Sequence, residues 1–132
     1  MNYIKYLGID WGEKRIGLAL ADSETKMATP FKVVGNLEEI LQAIDDKKID
    51  KIIVGEPRSI ANYEFQIVNK KYNKFIKDLK DKTNLQIESV DERLSSKAVD
   101  ALVSGKKVKA QRDAVAAMLI LQLYLDINQF VK

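Results

Sequence analysis

Ile52-Ile53-Val54 is an unbroken apolar run closed at once by Gly55-Glu56-Pro57. A strand with water on one side alternates apolar and polar residues, so a run without alternation, cut short by breakers, reads as a parallel strand buried on both faces. Parallel neighbours cannot be joined by a tight turn, and the chain must cross over through a helix. The next segment supplies one. Val68, Tyr72, Phe75, Ile76 and Leu79 fall on one stripe of a long Lys-rich helix, with the lysines opposite. Leu85 to Val90 then returns as a further strand.

Upstream, residues 4 to 10 and 15 to 21 are apolar-rich runs joined by Trp11-Gly12-Glu13-Lys14, which predicts a β-hairpin. Thr29 to Val34 continues as a third strand, broken by Gly35-Asn36. Asn36 with Glu39 has the form of a capping box, and Leu37, Ile40, Leu41 and Ile44 follow at helical spacing. Downstream, Ser95 is placed to cap a helix to about Val103, which Gly105 ends, and Lys106-Lys107-Val108-Lys109 reads as a basic loop. A last helix, about Arg112 to Ile127, is apolar on most faces and expected to be buried. The order β-β-β-α-β-α-β-α predicts an α/β domain spanning residues 1–132, in which a five-stranded mixed sheet, three antiparallel strands then parallel ones, carries helices on both faces. This is the element order of the ribonuclease H-like fold.

The 132 residues include no Cys and no His, which excludes a disulfide framework, a Cys/His zinc site, a thiolate nucleophile and an imidazole base. Carboxylates, Lys, Arg, Tyr or a metal-bound water must carry any catalysis. No apolar run approaches the roughly 20 residues that span a bilayer, and the first residues lack a signal-peptide core, so a cytoplasmic location and no membrane partner are expected. The net charge of +3 only mildly favours a polyanionic partner. Of 22 basic residues only four are Arg, namely Arg15, Arg58, Arg93 and Arg112, and each lies within five positions of a candidate carboxylate. The planar guanidinium suits two phosphate oxygens at once.

Those carboxylates sit at element ends. Asp10 closes the first strand, Asp91-Glu92 the fifth, and Asp113 opens the last helix. Each has an ordinary explanation, since turns and helix N-termini favour acidic residues. Together they can meet at one sheet edge, where three oxygen donors without His suit Mg²⁺ or Mn²⁺. Asp91 and Glu92 cannot both face that site if the strand continues, because side chains alternate.

Leu7-Gly8-Ile9-Asp10-Trp11-Gly12-Glu13-Lys14-Arg15-Ile16-Gly17-Leu18-Ala19, Val54-Gly55-Glu56-Pro57, Asp91-Glu92-Arg93-Leu94-Ser95-Ser96, Asp113-Ala114-Val115-Ala116-Ala117 and Leu119 to Asp126 strongly resemble the YqgF/RuvX family, in order and spacing, from Tyr6 to Asp126. The resemblance implies a nuclease of the Holliday-junction-resolvase superfamily, acting in bacteria in 5′-end maturation of pre-16S ribosomal RNA. It implies Asp10, Glu92 and Asp113 as the catalytic and metal-binding set. It also implies Lys14, Arg15, Arg93, Lys106, Lys107, Lys109 and Arg112 as phosphate contacts, which position a strand without reading its sequence.

Two positions depart from the family pattern. Glu56 stands where the family usually has Leu, and is either a fourth ligand, as in junction resolvases, or a strand-end glutamate paired with Arg58. After Pro57 the family commonly has Asp-Gly and Ser/Thr, whereas here the loop is Arg58-Ser59-Ile60-Ala61-Asn62-Tyr63-Glu64. Trp11 and Tyr63 are either base-stacking rings or packing residues. Three functions compete: a nuclease for structured RNA or branched DNA, a non-catalytic nucleic-acid-binding assembly factor, and an actin-like or sugar-kinase phosphotransferase. The chain is too short for the two domains that close over ATP in the last, and it has no Walker-type loop. The expected state is a monomer or a homodimer; a junction resolvase would need two-fold symmetry.

Overall fold

A computed structural model describes residues 3–56, 63–91 and 109–128. Within them lie β1 (Lys5–Asp10), β2 (Ile16–Asp22), β3 (Thr29–Val34), α1 (Leu37–Asp46), β4 (Lys51–Glu56), α2 (Tyr63–Lys82), β5 (Gln86–Asp91) and α3 (Lys109–Asn128). The strands form one sheet in the order β3-β2-β1-β4-β5. β1 pairs antiparallel with β2 and parallel with β4, and β4 pairs parallel with β5. The mixed sheet, the hairpin and the crossover strand follow the sequence expectations to within a residue or two.

Strand alternation divides the core in two. Leu7, Ile9, Ile16, Leu18, Ile52 and Val54 pack with Ile40 of α1 and with Tyr72, Phe75 and Leu79 of α2. On the opposite face Ala19 and Ile53 pack with Ala117, Ile120, Leu121 and Tyr124 of α3. Ile52, Ile53 and Val54 are fully buried, as a strand covered on both faces requires. Along α3 the buried positions Ala114, Ala117, Ile120, Leu121, Tyr124 and Leu125 recur at helical spacing, while the other side chains from Arg112 to Ile127 are half-buried or exposed, so the burial there is one broad stripe.

Caps and edges behave as their chemistry dictates. The Asn36 side chain accepts from the Glu39 backbone N–H at 3.0 Å, and Glu39 Oε2 accepts from Gly35 N–H at 2.6 Å. The reciprocal bond thus reaches one residue beyond the usual capping box. Leu18 lies opposite Lys32 and Ala19 opposite Pro30, so β3 carries one extra residue against β2. Pro30 is tolerated because β3 is an edge strand.

One boundary corrects the sequence reading. α3 begins at Lys109, not near Arg112, and so takes in Lys109 from the expected basic loop. Lys, Ala and Gln are good helix formers, and Lys109-Ala110-Gln111 contains nothing to stop the helix. Asp113 therefore stands in the second turn instead of capping the first. The expected helix from Ser95 to Val103 and the rest of that basic segment lie outside the described residues.

Candidate active site

Asp10 is the last residue of β1 and is half-buried at the edge where β1, β4 and β5 end together. Its register partner is Gly17. Because Leu7 and Ile9 face α1 and α2, period-two alternation puts Asp10 and Gly17 on the α3 face. There the helix backbone touches the strand: a Cβ built on Gly17 would lie 2.0 Å from the Asp113 carbonyl oxygen. Gly8 is a second close approach, with a built Cβ 2.8 Å from Leu121 Cβ. Two glycines on one sheet face thus let α3 settle against β1 and β2. That seating puts Asp113 on the same side and at the same end of the sheet as Asp10, from opposite ends of the sequence.

Arg15 enters from the hairpin turn. Its Nε donates to Asp113 Oδ2 at 2.6 Å, and the two side chains are 44% and 20% exposed. A carboxylate so largely withdrawn from water requires a counter-charge or hydrogen-bond donors, and the guanidinium provides both. Arg15, which the family resemblance implies as a phosphate contact, is here bonded to the Asp113 carboxylate. Lys14 and Arg112 are exposed near the same pair. Lys109 stands on the first turn of α3, while Glu92, Arg93, Lys106 and Lys107 lie outside the described residues.

Glu56 takes the other face. Val54 packs toward α2, so the same alternation directs Glu56 there, and it lines a cavity of about 200 Å³ with Tyr72, Asn73 and Ser89. This separates it from Asp10 across the sheet; Arg58 and the loop after Pro57 lie outside the described residues. Trp11 packs edge-on to Tyr72 at 5.8 Å and tilted over Phe75 at 6.1 Å, half-buried against the core. Its packing role is the one observed. With the ion pair from Glu13 to Lys71 at 2.7 Å, it anchors the hairpin turn on α2. The side chain of Tyr63 is not described.

Among the described residues no group of three or more acidic side chains is gathered to hold a metal ion. The donor chemistry nevertheless fits a hard divalent cation, because carboxylate oxygens stand at a strand end and on a helix at one end of the sheet.

A second charged cluster lies at the far end of the sheet and escaped the sequence reading. Lys51 Nζ meets Glu88 Oε2 at 2.5 Å and donates to the Tyr124 hydroxyl at 2.6 Å, while Tyr6 stands edge-on to Tyr124 at 6.0 Å. Burial lowers the Lys51 pKa, but the bonds to Glu88 and Tyr124 outweigh it and hold the ammonium above its ordinary 10.5. Burial, with Tyr124 second, raises Tyr6 above 10.0. Both groups retain their protons more tightly when folded, so their contribution is complete below the unfolded values and is lost as pH rises through the folded ones. The expected result is a fall in the unfolding midpoint above about pH 10 that is shallower in Lys51→Met than in the parent, read by denaturant titration across pH. Equal slopes would remove Lys51 from that role.

Comparison with known proteins places this geometry. The family model described as "RuvX: Holliday junction resolvase" matches residues 4–127. A candidate pre-16S rRNA nuclease of Maridesulfovibrio salexigens is 34% identical over 92% of this chain and 98% of its own length. One from a Sulfurihydrogenibium species is 36% identical over 96% and 92%. Among solved structures, Thermus thermophilus RuvC bound to a Holliday junction substrate aligns with a TM-score of 0.64 at 13% identity, over 96% of each chain. The fowlpox virus resolvase with junction DNA aligns at 0.59 and 12%, over 98% of this chain and all of that one. The fold is therefore ribonuclease H-like, and the sequence carries it further, since a match from the first strand to the end of α3 makes this chain a member of the RuvX family.

Proposed function

We propose that the protein is a metal-dependent nuclease that hydrolyses phosphodiesters in the 5′-end maturation of pre-16S ribosomal RNA, as a cytoplasmic enzyme. The observation that carries this reading is the seating of α3 on Gly17, which brings Asp113 to the end of the sheet where Asp10 stands, in a chain of this family. The family resemblance adds Glu92, the residue after β5, to the set.

Asp10, Glu92 and Asp113 would hold Mg²⁺ or Mn²⁺. Such an ion supplies a water of lowered pKa and positive charge beside the scissile phosphate. Asp10, fixed at a strand end, offers a carboxylate whose position varies little. Asp113 is aligned by its bond from Arg15. Lys14, Arg93, Lys106, Lys107, Lys109 and Arg112, together with Arg15, would contact phosphates along the strand and offset charge developing at the reaction centre.

Cleavage of branched DNA by a homodimer is the second reading, favoured by the family's description and by fold neighbours in complex with junction DNA. Cleavage assays on a labelled pre-16S 5′-leader RNA and on a four-way DNA junction, with Mg²⁺ or Mn²⁺ against EDTA, separate the two. Metal-dependent RNA cleavage by a monomer is expected. Junction cleavage alone would move the protein to recombination. Binding of either substrate with no turnover would leave a non-catalytic assembly factor.

A further inference from the structure

The Lys-rich face of α2 has no role in the site described above, and its charge is unevenly distributed. Between residues 70 and 77 there are four lysines and no acidic residue, whereas residues 78 to 82 balance Asp78 and Asp81 with Lys80 and Lys82. Tyr72 and Leu79 are buried, while Lys70, Lys74 and Lys77, at i, i+4 and i+7, lie along the opposite, exposed line with Asn73 beside it. Lys71 flanks this line and is held by Glu13 of the hairpin turn. Lys74 is 75% exposed even with Asp78 at 3.0 Å. This stretch in the middle of α2 covers the sheet face opposite Asp10 and is reached from the candidate site around the hairpin turn, because Trp11, one residue after Asp10, packs on Tyr72 and Phe75. The charge-balanced end, where Lys80 and Lys82 accompany Asp78 and Asp81, runs toward the opposite end of the sheet, where Lys82 and Asn84 line a cavity with α1 residues Leu41 and Ile44.

A solvated helix needs cations and anions only in rough balance, preferably in i,i+4 pairs, and Lys74 with Asp78 is such a pair. It does not need four lysines in eight residues with no anion among them. We propose that Lys70, Lys74 and Lys77 form a phosphate-backbone track, on which the nucleic acid continues past the cleavage site from the turn bearing Lys14 and Arg15 across α2. The three lysines span about 10 Å along the helix axis, at 1.5 Å per residue. Flexible ammonium groups at that spacing recognise the sugar-phosphate chain by charge alone, whatever the base sequence. The proposal rests on nucleic acid being the substrate, but not on cleavage itself.

The test is fluorescence anisotropy with the leader RNA and the four-way DNA junction, titrating NaCl, on the full chain. The variant Lys70→Gln/Lys74→Gln/Lys77→Gln is compared with Lys26→Gln/Lys47→Gln/Lys48→Gln, which removes the same charge from exposed positions at the opposite end of the sheet. Exposed Lys-to-Gln changes in a helix cost little stability, and melting curves confirm that both variants are folded. The track variant should bind about tenfold or more weakly at moderate salt. The slope of log K against log salt should fall by about 2, since every phosphate that a lysine neutralises adds roughly 0.7 to 0.9 to it. Weaker binding of both probes identifies a general backbone track, and weaker binding of one probe identifies which substrate runs over α2. Equal weakening in the two variants, or no change in slope, overturns the proposal. Normal binding without cleavage would instead count against the nuclease reading and leave the track standing.

Discussion

Asp113→Asn and Asp10→Asn are each expected to lower the proposed metal-dependent cleavage by about 10²-fold or more while the protein remains folded. The magnitude follows from the proposed donor set: even residues that only orient a metal ligand cost about 10- to 100-fold, and a carboxylate in the set itself costs at least as much. The stability expectation is opposite in character. Asp113→Asn weakens one ion pair with a 44% exposed arginine, worth no more than about 1 kcal/mol at such a surface. Asp10→Asn removes a negative charge from the neighbourhood of another. Single-turnover cleavage and thermal melts on the same preparations check both halves. A folded Asp10→Asn protein with parental activity would sink the assignment, and an unfolded one would show Asp10 to be structural.

Gly17→Ala is expected to be the most destabilising single-atom change in the described structure, at about 4 kcal/mol or more. The new methyl would lie 2.0 Å from the Asp113 carbonyl oxygen and 2.4 Å from its carbon. Both obstructing atoms are backbone, so relief requires the helix to lift off the strand and not merely a rotamer change. Gly35→Ala is the control, because its nearest neighbour is Glu39 Oε2 at 3.9 Å, an ordinary contact. Chemical denaturation should show a large loss for Gly17→Ala and about 1 kcal/mol or less for Gly35→Ala. Cleavage should fall with the former even where the chain still folds, since lifting α3 moves Asp113 away from Asp10. Similar midpoints for the two variants would show that α3 can yield.

What the sequence disclosed and what it concealed divide along a physical line. The hairpin, the buried strand at Ile52-Ile53-Val54 and the cap at Asn36 depend on local periodicity and local hydrogen bonding, and all were legible. The face of Glu56 was legible too, because two positions after buried Val54 a strand returns to the same side, and that alternation outweighs the analogy with junction resolvases. Gly17 carried a readable signal as well, because glycine inside a strand marks a close backbone approach, though not what approaches. The contact of Arg15 with Asp113 and the cluster of Lys51, Glu88 and Tyr124 join side chains distant in sequence. No local pattern encodes them; they exist only once α3 has docked. The start of α3 was misplaced for a related reason, since Asp113 resembles an N-terminal residue and only the structure places a turn ahead of it.

The pairing of Arg15 with Asp113 across 98 residues also governs when during synthesis the site can exist. A chain growing from its N-terminus has the hairpin and Asp10 in hand long before residue 113 is made. Until α3 emerges and settles on the two glycines, the first carboxylate stands without the last. Contacts so distant in sequence form late, because they must overcome the closure entropy of the loop between them. A chain that stops short of residue 113 therefore lacks one carboxylate of the proposed site even when its hairpin and Asp10 are already in place.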